Sequence, residues 1–253
     1  MIESRIFHFI SSFPRGAAVD DIASVVFQIK SGSNSQLRKI MLPLILSDKR
    51  FTLVRNKVAL SDKGEKFKKL VNTTFVALDV ETTGTNSQKD KITEIGALKI
   101  CGGAITDIFE TLINPGRYIP YDITNLTGIT NEMVNNSPDL EQIVPSFLEF
   151  IGDSVLIAHN APFDIRFINA ELKAMGRDNL SNEVLCTYKL SRRFCSGLKR
   201  FSLKSMTKVL GLTNEKPHRA GSDAAACAQI FLNLLYTMPE RGIFDLDVLL
   251  KYA

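Results

Sequence analysis

The spacing of apolar residues changes near residue 72 of the 253-residue chain. Before that point, apolar residues recur every three or four positions, which predicts helices over residues 2–10 and 18–29 and after a polar turn at residues 31–35. In the second and third helices, the positions with this spacing are Ile22, Val25, Val26 and Ile29, then Leu37, Ile40, Met41, Leu44 and Ile45. Pro43 is expected to kink or end the third helix.

Two short β patterns follow, at residues 51–55 and 57–60, and the tight turn at Asn56 between them predicts a hairpin. Three helices and a hairpin resemble a winged helix in topology, and such modules contact either nucleic acid or other proteins. A capping box from Asp62 to Glu65 opens a lysine-rich helix that ends near Val71. We therefore expect a small, mainly helical, winged-helix-like domain over residues 1–72 and a second domain over residues 73–253.

In the second domain, strand patterns come first and then alternate with helix patterns. Residues 91–100 and 105–113 are predicted strands joined by a Gly102-Gly103 turn, and with the strand that begins at Phe75 they form a three-stranded meander. A helix after Pro138 with a kink at Pro145, a buried strand over residues 155–158 and a helix from Pro162 to Gly176 follow. Later helices are predicted at about residues 202–210, 220–236 and 245–252. This order predicts an α/β fold, a sheet covered by helices.

The strand at residues 75–84 is apolar, yet it carries Asp79 and Glu81. Alternate residues of a strand face opposite sides, so the two acids project together and away from Val76, Leu78 and Val80. Burying two like charges without partners costs several kcal/mol for each of them. The pair is therefore either a solvated strand end or part of a site for a divalent cation such as Mg²⁺, which prefers carboxylate oxygens.

Three further residues are candidates for the same site. Asp164 lies in the first turn of the helix at Pro162, where an acid can simply complement the helix dipole. Asp223 follows a capping segment, and His218 could be an ordinary loop histidine. Taken together, four carboxylates at one sheet edge can hold two divalent ions that stabilise a phosphoryl displacement, and a histidine can activate the attacking water.

Composition and charge narrow the classes of function. The chain is 45% hydrophobic, contains no apolar run of the roughly 20 residues that a membrane span needs, and has four scattered cysteines, so a cytoplasmic protein with reduced thiols is expected. Residues 1–72 have a net charge of +7 and residues 73–253 a net charge of −3. Residues 186–219 alone carry +8, which indicates either a solvated charged face or a path for an anionic polymer.

Three segments resemble the motifs of the DnaQ-like, DEDDh-type 3′-to-5′ exonucleases, in the same order and spacing: Asp79-Val80-Glu81-Thr82-Thr83-Gly84, His159-Asn160-Ala161-Pro162-Phe163-Asp164 and His218-Arg219-Ala220-Gly221-Ser222-Asp223-Ala224. The resemblance covers residues 75 to about 237. Residues 113–115 and 126–130 resemble the family segment that lies beside the terminal nucleotide. Within the family, the chain is most similar to the epsilon-type proofreading exonucleases of bacterial DNA polymerase III. About 72 residues precede the first motif, and the chain stops shortly after its last helix, which differs from those subunits.

The resemblance implies an RNase H-like mixed five-stranded sheet flanked by helices and two divalent metal ions, Mg²⁺ or Mn²⁺. It implies four metal ligands, a general base and five substrate contacts: Asp79, Glu81, Asp164 and Asp223, then His218, then Thr82, Thr83, Gly84, Thr127 and Asn160. The expected substrate is a single-stranded or frayed DNA 3′ end, with proofreading or repair as the role and a replicative polymerase subunit as a possible partner. Two alternatives stay open, an RNA-trimming exoribonuclease and a binding or scaffolding protein with a silent nuclease fold.

Overall fold

The computed structural model describes residues 2–29 and 35–253, so residues 31–34 of the predicted polar turn lie outside the described residues. The chain divides into two compact units. The first contains Met1–Asn72 and Leu235–Lys251, and the second contains Thr73–Leu234 and Tyr252–Ala253. The predicted second domain extended to residue 253, whereas in the structure its near-terminal segment groups with the first 72 residues.

The first unit is built from helices and one hairpin. Its elements before residue 73 are α1 (Ile2–Ser11), α2 (Val19–Phe27), α3 (Ser35–Leu46), β1 (Phe51–Val54), β2 (Lys57–Leu60) and α4 (Asp62–Asn72). The two strands pair antiparallel across a turn in which Arg55 and Asn56 have positive φ angles of 46° and 66°. Helix α3 continues through Pro43 to Leu46, so the proline does not end it at once.

The core of the first unit surrounds a buried arginine side chain. Arg50 is 2% exposed, and its guanidinium lies 5.1–5.6 Å from the ring centroids of Phe7, Phe51 and Phe67. Its Nε donates hydrogen bonds to both carboxylate oxygens of Asp48, at 2.9 and 3.1 Å. Pairing with Asp48 and the faces of three aromatic rings together compensate for the removal of this charge from water.

Residues Leu235–Lys251 join this unit through an aromatic side chain. Tyr236 is 6% exposed, its hydroxyl lies 2.6 Å from His8 Nε2, and its ring lies 6.1 Å from that of Phe67. Lys63 Nζ lies 5.4 Å from the ring centroid of Phe244. These contacts join residues at least 169 positions apart in sequence, which is why the periodicity of the segment did not indicate its place.

The second unit contains a mixed sheet and its covering helices. The strands are β3 (Phe75–Thr82), β4 (Ile92–Cys101), β5 (Ala104–Leu112), β6 (Val155–Ala158) and β7 (Val184–Cys186), and their order in the sheet is β5-β4-β3-β6-β7. Strands β3, β4 and β5 form the antiparallel meander, while β6 runs parallel to both β3 and β7. The predicted α/β fold with a mixed five-stranded sheet is confirmed.

Helices follow and cover the strands. They are α5 (Tyr121–Thr127), α6 (Asn131–Val134), α7 (Leu140–Ile151), α8 (Pro162–Ala174), α9 (Thr187–Phe194), α10 (Leu203–Val209) and α11 (Ala220–Thr237). A 3-10 helix (Met238–Arg241) and α12 (Leu246–Leu250) come after α11 and belong to the first unit. The division between the two units falls inside α11, at Leu235. Within the described ranges, no helix combines the length and apolar character that crossing a bilayer requires.

The two faces of β3 serve different purposes. Val76, Leu78 and Val80 belong to a buried apolar cluster that includes Phe147 of α7 and Phe167 of α8. On the opposite face, Phe75 packs against Phe231 of α11, with ring centroids 4.8 Å apart. The acids Asp79 and Glu81 share this second face, because they are two and three strand periods away from Phe75. The sheet therefore directs both carboxylates to the side covered by α11.

Candidate active site

Asp79 and Glu81 lie where β3 approaches its end, in the middle of the sheet. Asp79 pairs with Gly96 and Glu81 pairs with Glu94 of β4, and the register shifts between Glu81 and Thr82. The end of a central parallel strand is the usual position of a ligand crevice in an open α/β sheet. Both acids are half-buried, and they alternate with the buried Leu78 and Val80.

Asp223 reaches the same place from the first turn of α11. A Cβ atom on Gly96 of β4 would lie 2.3 Å from both the carbonyl carbon of Ala220 and the nitrogen of Gly221. Only the absence of a side chain at Gly96 therefore lets the start of α11 approach the strand this closely. One carboxylate oxygen from each of Asp79, Glu81 and Asp223 lies within 4.8 Å of the others, and this group could hold a metal ion.

Asp164 completes the cluster from the first turn of α8. It is 3% exposed, and its Oδ1 accepts a hydrogen bond of 3.1 Å from the backbone N–H of Val80, the residue between Asp79 and Glu81. Helix α8 begins directly after β6, which pairs with β3, so the sheet topology brings this acid to the same edge. The four predicted metal ligands are thus neighbours in space.

Three carboxyl groups of the cluster, those of Asp79, Glu81 and Asp164, resist ionisation. Burial, followed by the nearby charges of Asp164, Glu81 and Asp223, raises the pKa of Asp79 well above its ordinary range. Burial and the charge of Asp223 raise the pKa of Glu81 to about 8, and burial raises the pKa of Asp164 to about 7. Like charges crowded in a low-dielectric site favour either protons or a bound cation. A group of hard oxygen donors with these properties fits a divalent ion such as Mg²⁺ or Mn²⁺.

His218 lies on the loop that leads into α11, and its side chain is exposed. Its backbone is left-handed, with φ of 62°, and its N–H donates a 3.2 Å hydrogen bond to Asp223 Oδ2. Asn214 Nδ2 donates to Asp223 Oδ1 at 2.6 Å. The carboxylate of Asp223 therefore fixes both ends of the loop that carries the histidine, and the imidazole is left free to meet water or a ligand.

Glu94 and Arg219 form a part of the site that the sequence pattern did not predict. Glu94 is 1% exposed, and Arg219 Nε lies 3.1 Å from each of its carboxylate oxygens. Glu94 Oε2 also accepts a 2.8 Å hydrogen bond from the N–H of Ala220, the first residue of α11. The apolar run of β4 contains this acid, and a buried carboxylate requires a partner, so the sequence did indicate that Glu94 is paired. This pair fixes the residue next to His218 and the start of the helix that carries Asp223.

The five predicted substrate contacts have different surroundings. The hydroxyls of Thr82 and Thr127 donate to the carbonyl oxygens of Gly84 and Ile123, at 2.6 and 3.0 Å, and Thr83 Oγ1 accepts from the N–H of Lys91. Asn160 is exposed, with φ of 77°. Among the contacts of the described residues, none joins Thr127 or Asn160 to the acids, so the roles of all five stay predictions.

His159, which precedes Asn160, is a structural histidine. Its Nε2–H donates a 2.9 Å hydrogen bond to the carbonyl oxygen of Phe201, and its Nδ1 lies 2.9 Å from Thr187 Oγ1. A carbonyl can only accept, so Nε2 carries the proton. The Thr187 hydroxyl beside Nδ1 also donates a 3.3 Å hydrogen bond to the carbonyl oxygen of Ala158. Burial lowers the pKa of the ring, which is consistent with a neutral imidazole. His159 thus connects the loop after β6 to Thr187, the first residue of α9, and to Phe201, which follows α9.

Comparisons with known proteins agree with this geometry. The RNase T family model, described as Exonuclease, matches residues 76–231. A DNA polymerase III PolC-type protein of Clostridium perfringens is 47% identical over 176 residues, which are 69% of this chain but only 12% of that protein. The DNA polymerase III subunit epsilon of Aquifex aeolicus is 41% identical over 166 residues, 66% of this chain and 82% of that protein.

Among solved structures, Exonuclease X in complex with 5′ overhanging duplex DNA has a TM-score of 0.54 and 27% identity, covering 64% of this chain and 92% of that chain. The chain corresponds to a small part of the PolC-type relative and to most of the length of the other two proteins. The family predicted from the three motifs is confirmed. Residues 76–231 form an exonuclease domain, and the chain belongs to the exonuclease family.

Proposed function

We propose that this protein is a metal-dependent 3′-to-5′ exonuclease that releases 5′-mononucleotides from single-stranded or frayed DNA ends. The observation that carries the proposal is the cluster of Asp79, Glu81 and Asp223, whose carboxylate oxygens lie within 4.8 Å of one another. Asp164 lies buried against the same strand. The mutual repulsion of four carboxylates at one sheet edge destabilises the fold, and bound divalent cations would offset that repulsion. Such cations would also bind the phosphate of a substrate.

Each residue of the cluster has a part in this reaction. Asp79, Glu81, Asp164 and Asp223 would hold two divalent ions, Mg²⁺ or Mn²⁺. When bound, such ions stabilise negative charge on the attacking and leaving oxygens of a phosphoryl displacement. His218 accepts the proton of the attacking water, a task that suits an exposed imidazole whose backbone is fixed by Asp223. Thr82, Thr83, Gly84, Thr127 and Asn160 would contact the terminal nucleotide.

We propose the biological role from the similarity to the relatives. Similarity to a DNA polymerase III subunit epsilon supports DNA as the substrate, proofreading or repair as the role, and the cytoplasm as the location. The first 72 residues, with a net charge of +7, would form a winged-helix-like module that binds nucleic acid or a replicative polymerase subunit. RNA trimming is the second candidate, because the exposed side chain of Asn160, a predicted substrate contact, is compatible with either sugar.

The test is a nuclease assay on 3′-labelled DNA and RNA strands of the same sequence. Release of labelled mononucleotide with Mg²⁺ or Mn²⁺, and its loss in EDTA, is the expected result. Asp79→Ala should abolish turnover, whereas Asp153→Ala should not, because Asp153 is an exposed acid before β6, at the opposite edge of the sheet. His218→Ala should lower kcat by roughly 10²- to 10⁴-fold. Full activity in EDTA or in Asp79→Ala would falsify the metal-dependent reaction.

A further inference from the structure

Residues 187–214 contain seven lysines and arginines and no aspartate or glutamate. All seven basic side chains, which lie between residues 189 and 208, are exposed, and together they form the basic surface. Helix α9 buries Thr187, Leu190, Ser191 and Phe194, which leaves Lys189, Arg192 and Arg193 on its open face. Lys199 and Arg200 follow on the loop to α10, and the last two lysines lie on α10.

No aspartate or glutamate among the described residues pairs with this surface, although Lys189 Nζ donates a 3.2 Å hydrogen bond to the backbone oxygen of Ala253. Arg192 lies over the ring of Tyr188, at 5.8 Å, and Arg193 over that of Tyr252, at 5.5 Å. Stacked guanidinium groups keep their charge and their donors, so the surface presents an uncompensated positive field. It does so although residues 73–253 as a whole have a net charge of −3.

The topology of the sheet brings the basic surface to the edge that carries the acids. Strands β3, β6 and β7 run parallel, so their C-terminal ends lie at one edge. β3 carries the acids toward that edge, and α9 starts at Thr187, directly after β7 ends. The hydrogen bond from His159 to the carbonyl of Phe201 joins the residue after Arg200 to the loop that leads to Asp164.

An acidic cluster repels a polyanion, so a strand whose 3′ end enters it needs favourable contacts elsewhere along its length. A positive surface that begins at the same edge supplies contacts of this kind. We propose that the basic surface binds the sugar-phosphate backbone of the nucleic-acid strand, several nucleotides upstream of the 3′ end. This inference rests on the proposed function, because it assumes that the 3′ end lies at the acids.

The test compares two double variants that remove the same charge from opposite edges of the second unit. Lys199→Gln with Arg200→Gln changes the basic surface close to Phe201. Lys173→Gln with Arg177→Gln is the matched control, since both side chains are exposed and lie at or beyond the end of α8, roughly 17 Å along the helix from its start. A third variant, Lys204→Gln with Lys208→Gln, tests α10 independently.

Binding of a fluorescent 20-nucleotide single strand is measured by anisotropy in EDTA between 50 and 200 mM salt, and circular dichroism checks the fold. Each lost phosphate contact should reduce the log-log salt slope by about 0.7, so the first and third variants should lose up to about 1.4. Their affinity at 0.1 M salt should fall roughly tenfold. The control variant should keep both the slope and the affinity.

The inference would be overturned if the salt slope of all three variants equalled that of the unmodified protein. It would also be overturned if the slope fell equally in all three, the control included. Hydrolysis of a dinucleotide by the unmodified protein with Mg²⁺ is measured separately. Hydrolysis together with unchanged slopes contradicts the basic surface and leaves the proposed function standing. A reduced slope in the first and third variants without any hydrolysis contradicts the proposed function and supports the basic surface as a nucleic-acid contact.

Discussion

Asp79, Glu81 and Asp164 are carboxyl groups whose pKa values all lie above their ordinary values, and burial is the largest cause for each. Without a cation, the folded protein keeps protons that the unfolded chain releases. For Glu81 this holds between pH 4.5 and about 8, and for Asp164 between pH 3.8 and about 7. The folded state therefore loses stability relative to the unfolded state as the pH rises through this window.

We predict that, in EDTA, the free energy of unfolding falls between pH 5 and pH 8. Asp79→Asn removes a buried carboxyl group that must either hold a proton or repel its neighbours, so at pH 8 it should unfold with a free energy higher by roughly 1 to 3 kcal/mol. The gain should be smaller at pH 5, which lies closer to the pKa of 3.8 of an ordinary aspartate. Urea unfolding at the two pH values measures this. Asp153→Asn, an exposed acid, is the control. A variant that gains no stability at pH 8 would show that the carboxylates do not repel one another.

The pair of Glu94 and Arg219 leads to a second prediction at this scale. Glu94→Gln replaces charge-assisted hydrogen bonds to Arg219 and Ala220 with weaker neutral ones, so stability should fall by roughly 1 to 3 kcal/mol. Because the pair positions His218 and the start of α11, kcat for a dinucleotide should fall as well. The factor by which kcat falls should be larger than the factor by which KM changes. Glu110→Gln is the matched control, since that carboxylate is exposed near Arg219 and should matter by less than about 0.5 kcal/mol. Equal effects of the two substitutions would remove Glu94 from the positioning role.

At the scale of elements, the contact between β4 and the start of α11 decides whether the site is assembled. Asp223 and the loop of His218 both depend on where this helix begins. Gly96 permits the approach, because any side chain there would collide with backbone atoms of Ala220 and Gly221. Backbone atoms cannot rotate away as the end of a flexible side chain can, so a collision here must displace the helix.

Gly96→Ala should therefore lower stability by roughly 1 to 3 kcal/mol or more and reduce kcat along with it. The control is Gly102→Ala in the hairpin turn, where the added Cβ meets nothing within 4 Å but φ is +60°. That variant should show only backbone strain, of order 1 kcal/mol, and unchanged kcat. Thermal unfolding and dinucleotide hydrolysis measure the two effects. Normal activity in Gly96→Ala would mean that α11 tolerates displacement.

At the scale of the whole molecule, the chain returns from the second unit to the first. Leu235–Lys251 groups with the first 72 residues, and the apolar side chains of Tyr236, Phe244 and Leu249 are buried. The acids of the candidate site all belong to the second unit. Removal of residues 1–72 should consequently affect the surroundings of the returning segment and spare the chemistry.

A chain of residues 73–253 should keep its kcat on a dinucleotide, counted per folded molecule. Tyr236 would lose its contacts with His8 and Phe67, so the truncated chain should bind a dye for exposed apolar surface and aggregate more readily than the full chain. Dye fluorescence and light scattering measure this, with the full chain as the control. Loss of kcat while circular dichroism is unchanged would indicate that the first 72 residues complete the active site.

The features that the sequence predicted are those encoded by neighbours along the chain. The alternation in residues 75–82 indicated that Asp79 and Glu81 share a face, and the Gly102-Gly103 turn predicted the antiparallel meander. The three motifs identified the family, because their residue types and order are specific. Helical spacing predicted α2, yet Val25 is 56% exposed while Ile22 and Val26 are buried, since periodicity does not measure how wide the covered face is.

Other features were decided by tertiary structure alone. Strand β7 has three residues, too few to show a period, and α9 begins immediately after it, so neither was predicted. Glu94 and Arg219 are 125 positions apart, and the return of residues 235–251 to the first unit joins Tyr236 to His8 across 228 positions. Local patterns report on residues within one or two turns of a helix or along one strand. Partners at such separations meet only because the whole chain has folded.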